Sequence, residues 1–258
     1  MKDTIQVDIQ DHVALITMSN PPANTWTRDS LDDLSTLVHE LNDNKDIYSL
    51  VITGQGDKFF SAGADLKLFA DGDKKVAADL STAFGRAFET LSQFRGLSIA
   101  AINGYAMGGG LEVALACDLR IAEQQALMAL PEAAVGLLPC AGGTQNLAWL
   151  VGEGWAKRII LCGERINAAQ ALQIGLVEAV VEQGQGLEHA IAWAHKAERQ
   201  SPTSIAACKR LIQTARKEPM FAGMGYERDA FVRLFDSNDS KEGVQAFLEK
   251  RKPNWTNS

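Results

Sequence analysis

Asn103-Gly104-Tyr105-Ala106-Met107-Gly108-Gly109-Gly110-Leu111-Glu112 follows the apolar run Ile99-Ala-Ala-Ile102 and leads into Val113-Ala-Leu115. The order is a buried strand, a turn built on three consecutive glycines, and a helix entered at once. Glycine reaches backbone conformations closed to other residues and lets a second segment approach the main chain. The helix start leaves N–H groups unpaired and partly positive, which suits an anion or an oxyanion. A tight turn with close helix packing would use the same residues, so function stays open on this stretch alone. For the fold the stretch decides more. An apolar strand running into a helix is the unit of an α/β chain.

The flanking sequence extends that unit. Ile5, Val7 and Ile9 alternate with polar residues as a strand, Asp11-His12 turns, and Val13-Ala-Leu-Ile-Thr-Met18 follows as a more buried strand stopped by Asn20-Pro21-Pro22. Leu31, Leu34, Val38 and Leu41 make one face of a helix, and Leu50-Val-Ile-Thr53 is a compact strand closed by Gly54-Gln-Gly56. Val76, Leu80, Phe84, Phe88 and Leu91 predict a long amphipathic helix; Leu119-Arg-Ile-Ala122 and Leu127-Met-Ala-Leu130 predict further strands. From about residue 144 helix signals dominate. Asn167 caps a helix through Ala171, and Ser201-Pro202 begins another. The last stretch predicts three helices whose apolar residues (Leu211, Phe231, Leu234, Phe235, Val244, Phe247, Leu248) dock on the chain's own core or on another subunit. No fixed-period repeat or linker composition interrupts the chain.

Composition narrows the function classes. With 258 residues, 46% hydrophobic and 22% charged, the chain is neither disordered nor collagenous, and it is long enough to bury roughly three quarters of its unfolded surface. Twenty-five Lys+Arg against 32 Asp+Glu give a net charge of −7, which opposes a nucleic-acid footprint. The four cysteines (Cys117, Cys140, Cys162, Cys208) are far apart without a CxxC pair, and are expected as small buried hydrophobes in a reducing compartment. The opening Met-Lys-Asp-Thr-Ile-Gln-Val-Asp has no signal-peptide core, and no apolar run approaches the ~20 residues of a membrane span. A cytoplasmic protein with no membrane association is the expectation.

Several familiar chemistries are missing. There is no Walker loop, Gly104, Gly108, Gly109 and Gly110 do not form G-x-G-x-x-G, and no G-x-S-x-G elbow occurs. None of the histidines (His12, His39, His189, His195) lies in a glycine-rich turn or beside a nucleophile, and no metal site is predicted. Two acids stand out instead. Glu112 sits among Leu111, Val113, Ala114 and Leu115; Glu132 follows Leu130-Pro131 and precedes Ala133-Ala-Val135. Apolar surroundings raise a carboxyl pKa, the condition for proton exchange near neutral pH. Phe59-Phe60-Ser-Ala-Gly-Ala-Asp65-Leu66-Lys67 is a second unusual segment, small residues after an aromatic pair, with a helix expected to start near Asp65.

These segments together resemble the enoyl-CoA hydratase/isomerase (crotonase) family over nearly the whole chain. Asn20-Pro-Pro-Ala-Asn24 resembles its N-terminal motif, and Phe60–Lys67 and Asn103–Glu112 its two oxyanion segments. Pro131-Glu132 with Gly136-Leu-Leu-Pro-Cys-Ala-Gly-Gly-Thr-Gln145 resembles its second catalytic segment, and Gly243–Pro253 its C-terminus. The resemblance implies a spiral of repeated β-β-α units over residues 1–197 and a helical trimerisation region over 198–258, assembled as a homotrimer or homohexamer. It implies that the N–H groups of Ala64 and Gly109 receive the thioester oxygen and that Glu112 and Glu132 handle water and proton. Ala62, Asp65, Leu66 and Lys67, with Phe247 and Lys250 of a neighbouring subunit, would contact the CoA. No cofactor is implied, CoA being part of the substrate.

The implied activity is a 2-enoyl-CoA hydratase giving 3-hydroxyacyl-CoA, because both glutamates are present. An enoyl-CoA isomerase would need only Glu132 as base, and a non-catalytic acyl-CoA- or RNA-binding relative would need neither. Two departures from the family pattern stand out: Trp26-Thr27 after the Asn-Pro-Pro-Ala-Asn motif, where smaller residues are common, and Asn146 in place of a basic residue.

Overall fold

The computed structural model describes residues 4–258. The chain opens with the antiparallel pair β1 (Ile5–Gln10) and β2 (Val13–Met18), then α1 (Arg28–Asp43). Three β-β-α turns follow. The first is β3 (Ser49–Gly54), β4 (Phe59–Ser61) and α2 (Lys74–Ser92), and the second is β5 (Leu97–Ile102), β6 (Tyr105–Met107) and α3 (Gly109–Ala116). The third is β7 (Leu119–Glu123), β8 (Leu127–Ala129) and α4 (Gly143–Leu161). The chain continues through β9 (Ile166–Asn167), α5 (Ala168–Gln173), β10 (Ala179–Val181) and α6 (Gly186–Ala197) to α7 (Pro202–Thr214), α8 (Met220–Leu234) and α9 (Asn238–Glu249). The first strand of each turn enters a six-stranded sheet ordered β1-β2-β3-β5-β7-β10; the second enters a four-stranded sheet ordered β4-β6-β8-β9. This repeated stepping from one sheet to the other is the expected crotonase-like spiral.

The long parallel strands are buried on both faces, which is why they read as unbroken apolar runs. Leu50 and Ile52 of β3 and Ala100 and Ile102 of β5 enter the main core with α1 and α2. Val51, Ile99 and Ala101 face the other way, onto Ala190 and Ala194 of α6. Leu31, Leu34, Val38 and Leu41 of α1 are all buried, and Thr27 closes a capping box with Ser30. On α2, Leu80, Phe84, Phe88 and Leu91 are buried, whereas Val76 in its first turn is exposed. β1 lies at the edge of its sheet, so its apolar Val7 and Ile9 stay exposed.

Three expectations change. Asp65 caps only a single 3-10 turn, Leu66–Phe69; the long helix begins at Lys74, capped by Asp73. Only Cys117 is buried; Cys140, Cys162 and Cys208 are exposed, and all four are free thiols. The last helices are tied to the rest of the chain through polar groups, while most of the apolar side chains expected to dock, Phe231, Phe235, Val244, Phe247 and Leu248 among them, stay exposed. Lys209 of α7 donates to Asp118 (2.7 Å) and to the Gly96 carbonyl (3.0 Å), and Gln213 to the Ser92 carbonyl (2.9 Å). Asp239 of α9, buried, accepts from the Thr256 and Asn257 amides, while Asn257 donates to the Lys45 carbonyl and Tyr48 to that of Trp255. By contrast α8 has no buried residue, and Phe221, 87% exposed, heads an apolar face with Phe231 and Phe235. Among the described residues no helix is long and apolar enough to cross a membrane.

Candidate active site

The Asn-Pro-Pro-Ala-Asn motif acts first on the main chain. Asn24 donates through its side chain to the carbonyls of Gln55 (3.0 Å) and Phe59 (2.9 Å), and Ser61 Oγ donates to the Asn24 carbonyl (2.7 Å). Asn103 does likewise from the second turn, donating to the carbonyls of Gly54 (2.8 Å) and Gly56 (2.7 Å). These bonds fix the exits of β3 and β5, so the segments leaving β4 and β6 run side by side. Gly63 adopts φ +85°, and a Cβ built there would fall 2.6 Å from the Met107 carbonyl oxygen and 3.0 Å from the Gly109 nitrogen. No side chain fits between the two segments.

Gly108, at φ 54°, turns the chain from β6 into α3. Its own N–H is held by the Ala129 carbonyl (2.9 Å), while among the described residues the N–H groups of Ala64 and Gly109 donate to no protein acceptor. Two adjacent free amides, one of them at a helix start, form a site for a developing negative charge.

Glu112 lies one turn inside α3 and is buried. Its Oε1 accepts from the amides of Ala141 (2.8 Å) and Gly143 (2.9 Å), which lead into α4. Burial pushes this carboxyl above the usual carboxylate range, and the amides of Gly143, Ala141 and Cys140 pull it back. Glu132 opens a 3-10 turn, Glu132–Val135, after β8. Its Oε2 is buried without a partner, and a Cβ built on Gly108 would lie 3.0 Å from its Oε1. Burial drives the Glu132 carboxyl up to about 7, and the charge of Glu112 adds to the rise.

Both carboxyl groups open onto one cavity of about 680 Å³, which also reaches Ala62, Ala64, Leu66, Gly108 and Gly109. Its remaining walls are Phe69 and the α2 residues Ala77, Ala78, Ser81 and Phe84, faced by Val135, Leu137, Leu138 and Cys140. Of the residues singled out from sequence, Ala62, Ala64, Leu66, Gly109, Glu112 and Glu132 therefore meet in one chamber. Asp65 and Lys67 sit on the turn at its edge, where Asp65 Oδ1 accepts from the Lys67 amide (3.0 Å). Phe247 and Lys250 end α9, outside the chamber lining.

Sequence reasoning missed the amides of Ala141 and Gly143 as the cradle of Glu112. The signal was present in Gly142-Gly143 at the head of a helix, where N–H groups go unpaired. At Asn146 a cation still arrives, because Arg216 donates to its Oδ1 (3.2 Å).

The sequence model described as enoyl-CoA hydratase/isomerase matches residues 8–258. The chain is 39% identical over 252 residues to the 2,3-dehydroadipyl-CoA hydratase of Escherichia coli K12, covering 96% of this chain and 97% of that protein. Among solved structures, DspI of Pseudomonas aeruginosa superposes with a TM-score of 0.96 at 63% identity, over 98% of this chain and 96% of the other. The enoyl-CoA hydratase of Bacillus anthracis does so with a TM-score of 0.95 at 35% identity, over 99% and 100%. The spiral, the paired glutamates and these matches along its length agree: the chain belongs to the enoyl-CoA hydratase/isomerase family.

Proposed function

We propose that this enzyme is a 2-enoyl-CoA hydratase, a hydro-lyase adding water across the 2,3 double bond to give 3-hydroxyacyl-CoA. The observation that carries the reading is the opening of two unlike carboxyl groups, Glu112 and Glu132, onto one chamber beside two free amides. The thioester oxygen accepts from the N–H groups of Ala64 and Gly109, and a water lies between the carboxyl groups. Glu112, whose amide cradle favours the anion, takes a proton from that water as oxygen bonds to C3. The double-bond electrons move toward the thioester oxygen, where each donor is worth roughly 3–4 kcal/mol to the transition state. The enolate then takes a proton at C2 from the Glu132 carboxylic acid. One proton has entered Glu112 and one has left Glu132, and exchange with solvent restores both. The steps balance with water alone and call for no cofactor.

An isomerase would leave Glu112 without a task, although the fold buries it and spends two amides holding it. Lys67, with Phe247 and Lys250 from a neighbouring subunit, contacts the CoA moiety in this reading. The bare apolar face of α8 packs between chains of a homotrimer or homohexamer. The test follows crotonyl-CoA by loss of its conjugated enoyl-thioester absorbance. Glu132→Gln and Glu112→Gln each lower the rate by roughly 10²- to 10⁴-fold while thioester binding and fold persist. Near-wild-type turnover in either variant removes that residue from the mechanism.

A further inference from the structure

Trp26, noted in the sequence as a departure, lies beneath the two free amides. Its N–H donates to the Gly63 carbonyl (2.8 Å), and it pairs with Ala64 in an isolated parallel bridge. Its indole is 2% exposed. That ring meets Phe88 edge-on (centroids 5.4 Å apart, 66° between planes), and Phe88 meets Phe84 in the same manner (5.7 Å, 81°). A Cβ built on Gly109 would lie 2.9 Å from Phe84 Cε1 and 3.6 Å from Trp26 Cδ1, so two aromatic rings close on the Gly109 backbone. The indole Nε1 is buried without a partner. An unpaired buried donor costs stability that leucine or phenylalanine would not incur. Filling the core does not by itself account for a tryptophan here.

We infer that Trp26 is a positioning residue of the oxyanion hole: its main chain holds Ala64, its ring backs Gly109, and together they set the separation of the two donors. The inference rests on the reading of those amides as the thioester-oxygen site. Trp26 is not part of the chamber lining. A hole of the right width polarises the thioester carbonyl. Widening it weakens the interaction where charge develops, so the loss falls on kcat more than on KM.

The experiment compares the wild-type protein with Trp26→Phe and Trp26→Leu by two readouts. The first is the absorption of bound 2,4-hexadienoyl-CoA, which moves to longer wavelength as its carbonyl is polarised. The second is kcat and KM for crotonyl-CoA, with thermal unfolding recorded alongside. Trp26→Leu is expected to lose most of the red shift and roughly 10- to 100-fold in kcat, with KM within about threefold. Trp26→Phe, which keeps a ring against Phe88, falls between and decides the question alone if the leucine variant does not fold. A variant that unfolds at lower temperature yet keeps the wild-type red shift and kcat overturns the inference. Wild-type protein that neither hydrates crotonyl-CoA nor shifts the dienoyl spectrum removes the hole itself, and the hydratase reading with it. A normal wild-type shift shared by both variants overturns the role of Trp26 only.

Discussion

At Glu112 two amide protons oppose the rise that burial imposes on the carboxyl group; at Glu132 one oxygen is buried without a partner, and its own backbone amide offsets burial only in part. In the proposed mechanism this difference makes Glu112 the base and Glu132 the acid, the assignment that water addition requires. The acid form of Glu132 disappears as pH rises through about 7. Hydration kcat/KM should therefore fall on the alkaline side of neutrality, and a pH–rate profile of Glu132→Gln should lack that limb. The same residue reports in stability. Its folded pKa of about 7 lies above the 4.5 of an ordinary glutamate, so between these values the native state binds the extra proton. Stability then declines as pH rises through that window and stays lower above it. Glu132→Gln should melt above the wild type at pH 8, by about 2–4 °C for each kcal/mol recovered, with the gap closing toward pH 4.5. Thermal unfolding at the two pH values checks this. Both glutamates were legible as acids in apolar runs, but their division of labour was not. It depends on Ala141 and Gly143, which reach Glu112 only through the fold of the third β-β-α turn.

The walls of the chamber come from elements that bring little charge. α2 presents Ala77, Ala78, Ser81 and Phe84, and the segment after Glu132 presents Val135, Leu137 and Leu138; among the described lining residues there is no cation. The nearby Arg86 lines an adjoining cleft that shares only Ser81 and Cys140 with the chamber, and it is ion-paired with Asp32. An acyl chain ending in a carboxylate would lose its hydration there, find no counter-ion and lie near two glutamates. The enzyme should therefore prefer 2-hexenoyl-CoA over 2,3-dehydroadipyl-CoA by at least about tenfold in kcat/KM, since 1.4 kcal/mol already gives that factor. Equal rates would mean that the carboxylate end finds a partner elsewhere. Element identity was readable wherever burial imposed a period. α1 and α2 carry a helical stripe, and β3 and β5 are apolar on both faces. β4, β6 and β9 are three residues or shorter, too few to show alternation, and they pair only within the second sheet, whose strands are all this short.

On the scale of the whole molecule, the spiral came from motif order, while the placement of the C-terminal helices needed coordinates. Their sequences are amphipathic in either environment, and pattern alone does not choose between a helix's own core and a second chain. Lys209 ties α7 to the chain's own core and Asp239 ties α9 to the C-terminal segment; the bare apolar side chains of α8 and of Val244, Phe247 and Leu248 in α9 are what the proposed trimer covers. Light scattering at micromolar concentration should give a mass of three or six chains. Phe221→Glu should lower it, and a wild-type monomer would contradict the assembly. The bonds that bring the C-terminal segment home also set an order of events during synthesis. Asn257 closes on Lys45, 212 residues earlier in the chain. At ~5–20 residues per second a ribosome needs roughly ten to forty seconds to travel between them. Through that interval the corner around Tyr48 is without its final stitch, so the nascent first sheet waits on the last helices before it is sealed.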